Sequence, residues 1–111
     1  MANRYVPDAG DIVWLIFDPR AGHEQRGHRP ALVVSPAPYN GKTGLMVCCP
    51  MTTKSNGYPF EVLIPGKRAG VVLADQVKSL DWIARKAKYK GKAAPAQLAD
   101  VRAKVTALIN G

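Results

Sequence analysis

The chain has 111 residues, of which 47% are hydrophobic, and 16 Lys and Arg oppose 8 Asp and Glu for a formal net charge of +8. That length suits a single domain spanning 1–111 with a modest core, and the apolar share excludes bulk disorder. No stretch approaches the ~20 apolar residues that span a bilayer, and the opening MANRYVPDAGDIV lacks the basic-then-apolar order of a signal peptide, so the expectation is a cytoplasmic protein with no membrane partner.

Strand signals fill the first two thirds. Ile12 to Phe17 is a β-branched and aromatic run bounded by Gly10 and Asp18-Pro19. Ala31 to Val34 is a second run, closed by Ser35-Pro36, and Leu45 to Cys49 a third, closed by Pro50. A fourth covers Phe60 to Ile64 before Pro65-Gly66, and Val71 to Leu73 and Val77 to Leu80 make two more around Ala74-Asp75-Gln76. Short strands broken by Gly, Pro and Asn have the rhythm of a small barrel or sandwich. From Pro95 the period changes: Leu98, Val101, Val105, Leu108 and Ile109 recur at helical spacing, and Gly111 lies beyond them. This predicts one C-terminal amphipathic helix packed on a mainly β domain.

Cys48 and Cys49 are the two cysteines, and they are adjacent. On a strand their side chains point to opposite faces, which suits neither a disulfide nor a metal clamp, so they read as core packing in a reducing compartment.

The charge points to a polyanion, RNA or DNA backbone or an acidic protein. Its densest stretch is residues 82–92, where Arg85, Lys86, Lys88, Lys90 and Lys92 interleave with Trp82 and Tyr89. Phosphates and stacked bases favour such a stripe, but a solvated edge strand protected by lysines has the same composition.

Familiar catalytic patterns are missing. The sequence holds no HExxH, no CxxC pair and no GxSxG elbow, and Gly41-Lys42-Thr43 lacks the upstream glycine of a phosphate loop. No cofactor or metal is expected. A reaction on a polyanion that needs neither is RNA cleavage by its own 2′-hydroxyl. It requires a base near that hydroxyl, positive charge on the developing phosphorane, and a proton for the leaving 5′-oxygen. His23 and His28 lie in a loop and could supply a base, or could simply be surface. Arginine is the stronger candidate for charge, since its planar fork matches two phosphate oxygens. Arg29 precedes Pro30, which biases it toward extended backbone and so places its fork at the start of a strand. Thr52 and Thr53, after Pro50-Met51, offer hydroxyls to a phosphate or merely end a strand.

Those residues fall in a recognisable order. Gly10-Asp11, Phe17-Asp18-Pro19, Gly22-His23-Glu24-Gln25-Arg26-Gly27-His28-Arg29-Pro30, Val33-Val34-Ser35-Pro36, Asn40, Pro50-Met51-Thr52-Thr53 and Ala74-Asp75-Gln76-Val77 together resemble the MazF/PemK family of bacterial toxins along the whole chain. The resemblance implies a small SH3-like barrel with a C-terminal helix, a homodimer, and a toxin of a type II toxin–antitoxin system. It further implies a metal-independent endoribonuclease that cuts single-stranded mRNA at short sequences, leaving 2′,3′-cyclic phosphate and 5′-hydroxyl ends. The implied partner is a MazE-like antitoxin whose acidic C-terminal tail covers the RNA groove. Carried over by position, Arg29 stabilises the phosphorane and can protonate the leaving group, Thr52 bonds the scissile phosphate, and Glu24 is a candidate base. Phe17 could stack a base, and His28, Thr53, Lys54, Gln76 and Lys78 are RNA-contact positions. Residues 18–28 match a mobile flap. His23 departs from the serine usual before Glu24, which puts the recognition sequence in doubt.

Two other readings fit the same residues: a non-catalytic RNA-binding SH3-like module, and a toxin of this fold that acts on DNA gyrase. The first predicts salt-dependent binding without product, and the second an effect on supercoiling.

Overall fold

The computed structural model describes residues 5–16, 28–66 and 70–111. Among them, β1 (Asp11–Ile16), β2 (His28–Val33), α1 (Ala37–Thr43), β3 (Leu45–Thr52), β4 (Glu61–Ile64), β5 (Gly70–Leu73), a 3₁₀ turn (Ala74–Gln76), β6 (Lys78–Asp81), β7 (Lys88–Lys92) and α2 (Pro95–Asn110) follow in that order. The strands form one curled antiparallel sheet in the order β4-β5-β3-β2-β1-β7, with β6 also paired to β3, so the domain is a mainly β half-barrel closed by α2.

Alternation along the central strands divides the core. Ile12, Leu32 and Cys49 make one cross-strand row, and they join Val62, Val72, Ala74 and Val101 in a cluster beneath α2. Val13 with Ala31, and Val33 with Cys48, fall on the alternate rows and join Leu15 and Met46 in a second cluster, against which Tyr5, Leu80 and Trp82 pack. One sheet therefore buries both of its faces at the centre, which is why its middle strands read as nearly continuous apolar runs.

Cys48 and Cys49 enter different clusters, both free and both buried. Burial pushes each thiol up to about 12, with a smaller push from Cys49 on Cys48 and from Asp75 on Cys49. The folded state then holds protons that unfolded thiols release above their ordinary value near 9. Stability present below pH 9 is lost as pH rises toward 12, by up to about 1.4 kcal/mol per pH unit for each thiol. Urea unfolding at pH 8.5, 9.5 and 10 should show this decline, and a Cys48→Ala/Cys49→Ala variant should flatten it. An equally steep decline in that variant would assign the effect elsewhere.

The structure revises two strand bounds and adds detail the sequence reading had left open. The sequence reading ended the third strand at Pro50, yet β3 runs through it to Thr52. The ladder explains this: β6 pairs with Leu45 to Cys48 and β5 pairs with Met51 and Thr52, so on that edge no partner asks Pro50 for an N–H. Strand β2 starts at His28 rather than Ala31, which puts Arg29 inside the ladder, opposite Leu15. The basic stretch 82–92 contributes a true edge strand, β7, paired to β1.

Helix α1 falls in a stretch to which the sequence reading assigned no element. It follows Pro36 with Pro38 in its first turn and ends at Gly44 in the left-handed conformation (φ 76°). The C-terminal helix is therefore not alone. α2 itself carries Pro95 in its first turn, and its Gln97 side chain accepts the Ala94 N–H at 2.7 Å. Val101 is fully buried and Leu98 and Val105 pack beside it, but Leu108 and Ile109 are 42% and 73% exposed. The helical apolar pattern thus continues past the sheet that its first three turns cover. Arg102 fixes the approach by donating two hydrogen bonds to the Val34 carbonyl, at 3.2 and 2.7 Å. No helix among the described residues is long and apolar enough to cross a membrane.

Candidate active site

Arg29 sits in β2 between the buried run Ala31 to Val33 and the exposed His28, so the ladder with β1 holds its backbone while its side chain reaches solvent. On the other flank Ala31 faces Pro50 of β3. Continuing that antiparallel register by two residues on each strand brings Arg29 level with Thr52. The two side chains border one cleft of about 410 Å³, which Trp14, Pro30, Met51, Thr53, Gly70 and Lys90 complete.

The cleft wall holds two cations, Arg29 and Lys90, two threonine hydroxyls, and no carboxylate among the described residues. The Lys90 ammonium lies 5.3 Å from the centre of the Trp14 ring, over its face. That contact keeps a positive charge above an aromatic floor. Thr52 Oγ1 accepts the Lys54 N–H at 3.2 Å, which leaves its hydroxyl proton available to an acceptor in the cleft. Gly70 keeps the floor open, since a Cβ there would come within 3.0 Å of the Met51 methyl. A site of this kind, charged fork and hydroxyl donors with an apolar base, seats a phosphodiester with an adjoining base or sugar. Among the described residues, no group of three or more His, Cys, Asp and Glu is placed to hold a metal ion.

Of the residues singled out in the sequence, Arg29, Thr52 and Thr53 come together in this cleft. Lys54 follows them, exposed, at the start of the loop to β4, and His28 is exposed at the first position of β2. Gln76 ends the 3₁₀ turn and Lys78 pairs with Cys48, both on the flank of β3 away from β2, and neither lines the cleft. Phe17, His23 and Glu24, with the rest of the segment 17–27, lie outside the described residues. The sequence reading placed Trp14 in the strand core and Lys90 in the basic stripe, and assigned Met51 and Gly70 no role. The pairing of β1 with β7 brings Trp14 and Lys90 together, and a single sequence carries no signal for that long-range partnership.

A family model for PemK-like, MazF-like toxins of type II toxin–antitoxin systems matches residues 8–109. The chain belongs to this toxin family. It is 57% identical over 110 residues to the endoribonuclease toxin MazF of Escherichia coli K12, covering 98% of this chain and 99% of that protein. Among solved structures, the crystal structure of MazF (Form-I) from Deinococcus radiodurans superposes with a TM-score of 0.87 at 55% identity, over 97% of this chain and 100% of that one. A MazE–MazF complex (Form-II) from the same organism gives a TM-score of 0.85 at 51% identity, over 96% and 97%. The MazF half-barrel is therefore the fold of this chain, and the cleft lies on a scaffold shared with these toxins.

Proposed function

We propose that the protein is the endoribonuclease toxin of a type II toxin–antitoxin system and that it cuts single-stranded mRNA at the Arg29–Thr52 cleft. The observation that carries the reading is that Arg29 and Thr52, on neighbouring strands, border one cleft together with Trp14 and Met51. In the proposed reaction the RNA 2′-oxygen attacks the adjacent phosphorus, its proton passes to a base, and the P–O bond to the 5′-oxygen breaks with protonation of that oxygen. The products are a 2′,3′-cyclic phosphate and a 5′-hydroxyl. The nucleophile belongs to the substrate, so the chemistry needs positioning, charge and proton transfer rather than an activated water.

Arg29 carries the phosphorane charge and Thr52 bonds a non-bridging oxygen. Glu24 and His28 are the candidate bases. Thr53, Lys54, Gln76, Lys78 and Phe17 are candidate RNA contacts by their match to the family. The surplus of cations also suits an antitoxin with an acidic tail, because one basic surface accommodates either polyanion. A homodimer and a MazE-like antitoxin belong to the same reading, supported by family membership and by the MazE–MazF assembly of the D. radiodurans relative. The reading places the protein in the bacterial cytoplasm, where its substrate is.

Incubation of the purified protein with a long single-stranded RNA in excess EDTA, with fragment ends mapped, tests this directly. Discrete cuts bearing 5′-hydroxyl ends are expected. Intact RNA that nevertheless binds in a salt-dependent way would replace the enzyme by a non-catalytic RNA-binding module.

A further inference from the structure

The loop from Thr53 to Pro59 leaves β3 at the wall of the cleft, and every one of its residues is exposed. No burial holds it. Beside the Lys54 N–H on Thr52, one carboxylate gathers it: Glu61, the first residue of β4, accepts the Ser55 hydroxyl at 2.8 Å and the Gly57 N–H at 3.2 Å with Oε1, and the Asn56 N–H at 3.0 Å with Oε2. The Glu61 N–H in turn donates to the Tyr58 carbonyl at 3.1 Å. Gly57 adopts φ 75°, the left-handed turn that lets consecutive N–H groups converge on one anion. These donors, led by the Asn56 N–H, hold the carboxyl below its ordinary range. Glu61 is itself fixed to the sheet, because β4 pairs with β5 and β5 with β3. The result is a loop with a built shape, starting one residue from Thr52, that presents the 59% exposed Tyr58 ring and the Lys54 ammonium to solvent.

We infer that Glu61 is a positioning residue for RNA selection: its carboxylate freezes the 55–58 turn so that the Tyr58 ring meets a nucleotide flanking the scissile phosphate. The inference rests on the ribonuclease reading above and deepens it. Glutamate is needed because every contact to it comes from a donor. A glutamine with its oxygen in the Oε1 place keeps Ser55 and Gly57 but sets its NH₂ against the Asn56 N–H, so the turn loosens at Asn56, whereas an aspartate keeps both acceptors on a shorter arm. The Arg29–Thr52 seat is untouched by either change.

The test compares wild type, Glu61→Gln, Glu61→Asp, Tyr58→Ala and the Glu61→Gln/Tyr58→Ala pair on a long single-stranded RNA in EDTA. Steady-state constants are measured on a short oligonucleotide taken from a mapped cut site. Glu61→Gln should raise KM by about tenfold, the worth of one stacked base, and leave kcat within about twofold. It should also broaden the set of cut sequences, with Glu61→Asp lying between it and wild type. Tyr58→Ala should reproduce the same shift, and the pair should be no worse than either single change, because both remove one contact. Cut RNA with an unchanged site pattern and KM in Glu61→Gln overturns the inference alone, as do fully additive effects in the pair. Loss of kcat without a change in KM overturns it too. RNA left intact by the wild-type protein overturns the ribonuclease reading and this inference with it.

Discussion

Replacing Arg29 by alanine is expected to slow RNA cleavage by at least ~10²-fold, the cost of removing one preorganised donor to a developing charge. The position makes this a clean experiment. The Arg29 side chain is exposed, so its truncation leaves no cavity, and its backbone remains paired with Leu15 whatever the side chain. Stability should stay within about 0.5 kcal/mol of wild type. Any loss of rate then reports on the cleft and not on folding. Arg29→Lys retains a charge but not the fork that matches two phosphate oxygens, so it should recover only part of the loss. Initial rates in EDTA, alongside thermal unfolding of each variant, provide the check. A folded Arg29→Ala protein that cuts at the wild-type rate would remove Arg29 from the chemistry. It would leave Lys90 as the remaining cation of the cleft wall.

The physical reason Arg29 could be singled out from sequence is local. Pro30 restricts the residue before it, and an apolar run follows, so placement by a strand is written into neighbouring residues. The same holds for β1 and for most of β3, where β-branched and apolar runs end at glycine or proline. Legibility failed where the decisive contact is distant in the chain. Pro50 looked like a strand end because the sequence does not show that β6 stops and β5 begins on either side of it. Leu108 and Ile109 looked like core because helical spacing says nothing about where the underlying sheet ends. The basic stretch 82–92 stayed ambiguous for a related reason. Its lysines do form an edge, yet Lys90 reaches the cleft through the pairing of β7 with β1. The adjoining loop gave no warning either: that Glu61 gathers Ser55, Asn56 and Gly57 depends on a turn that only the returning strand closes.

Helix α1 is the clearest case, and it leads to the largest expected effect on stability. APYNGKT contains a proline, a glycine and an asparagine, and no helix propensity would select it. It forms because Asn40 is satisfied from every side. Its Nδ2 donates to the Pro7 carbonyl at 2.8 Å and to the Ser35 carbonyl at 2.9 Å, and its Oδ1 accepts the Ser35 hydroxyl at 2.6 Å. Its backbone carbonyl accepts the Trp82 indole N–H at 2.9 Å. The side chain is fully buried and ties the N-terminal segment and the residues after β2 to one short helix, while the backbone carbonyl holds the turn after β6. Asn40→Asp preserves shape and reverses this chemistry, setting a carboxylate against two carbonyl oxygens. The expected loss is at least about 3 kcal/mol at pH 8, the scale of an uncompensated buried charge. That corresponds to a melting point lower by about 12 °C or more in a domain of this size. The sign of the pH dependence follows from the same geometry. The new carboxyl must keep its proton to donate to either carbonyl, so its folded pKa rises above its unfolded value of about 3.9. The variant is therefore least impaired below pH 4 and loses stability as pH rises through the raised folded value. Asn40→Ala also breaks the network but buries no charge, so its deficit should be smaller and should not follow this pH profile. Melting curves of the three proteins at pH 4 and pH 8 decide the matter. An Asn40→Asp protein that melts within about 3 °C of wild type at pH 8 would show that α1 is held by something other than this network.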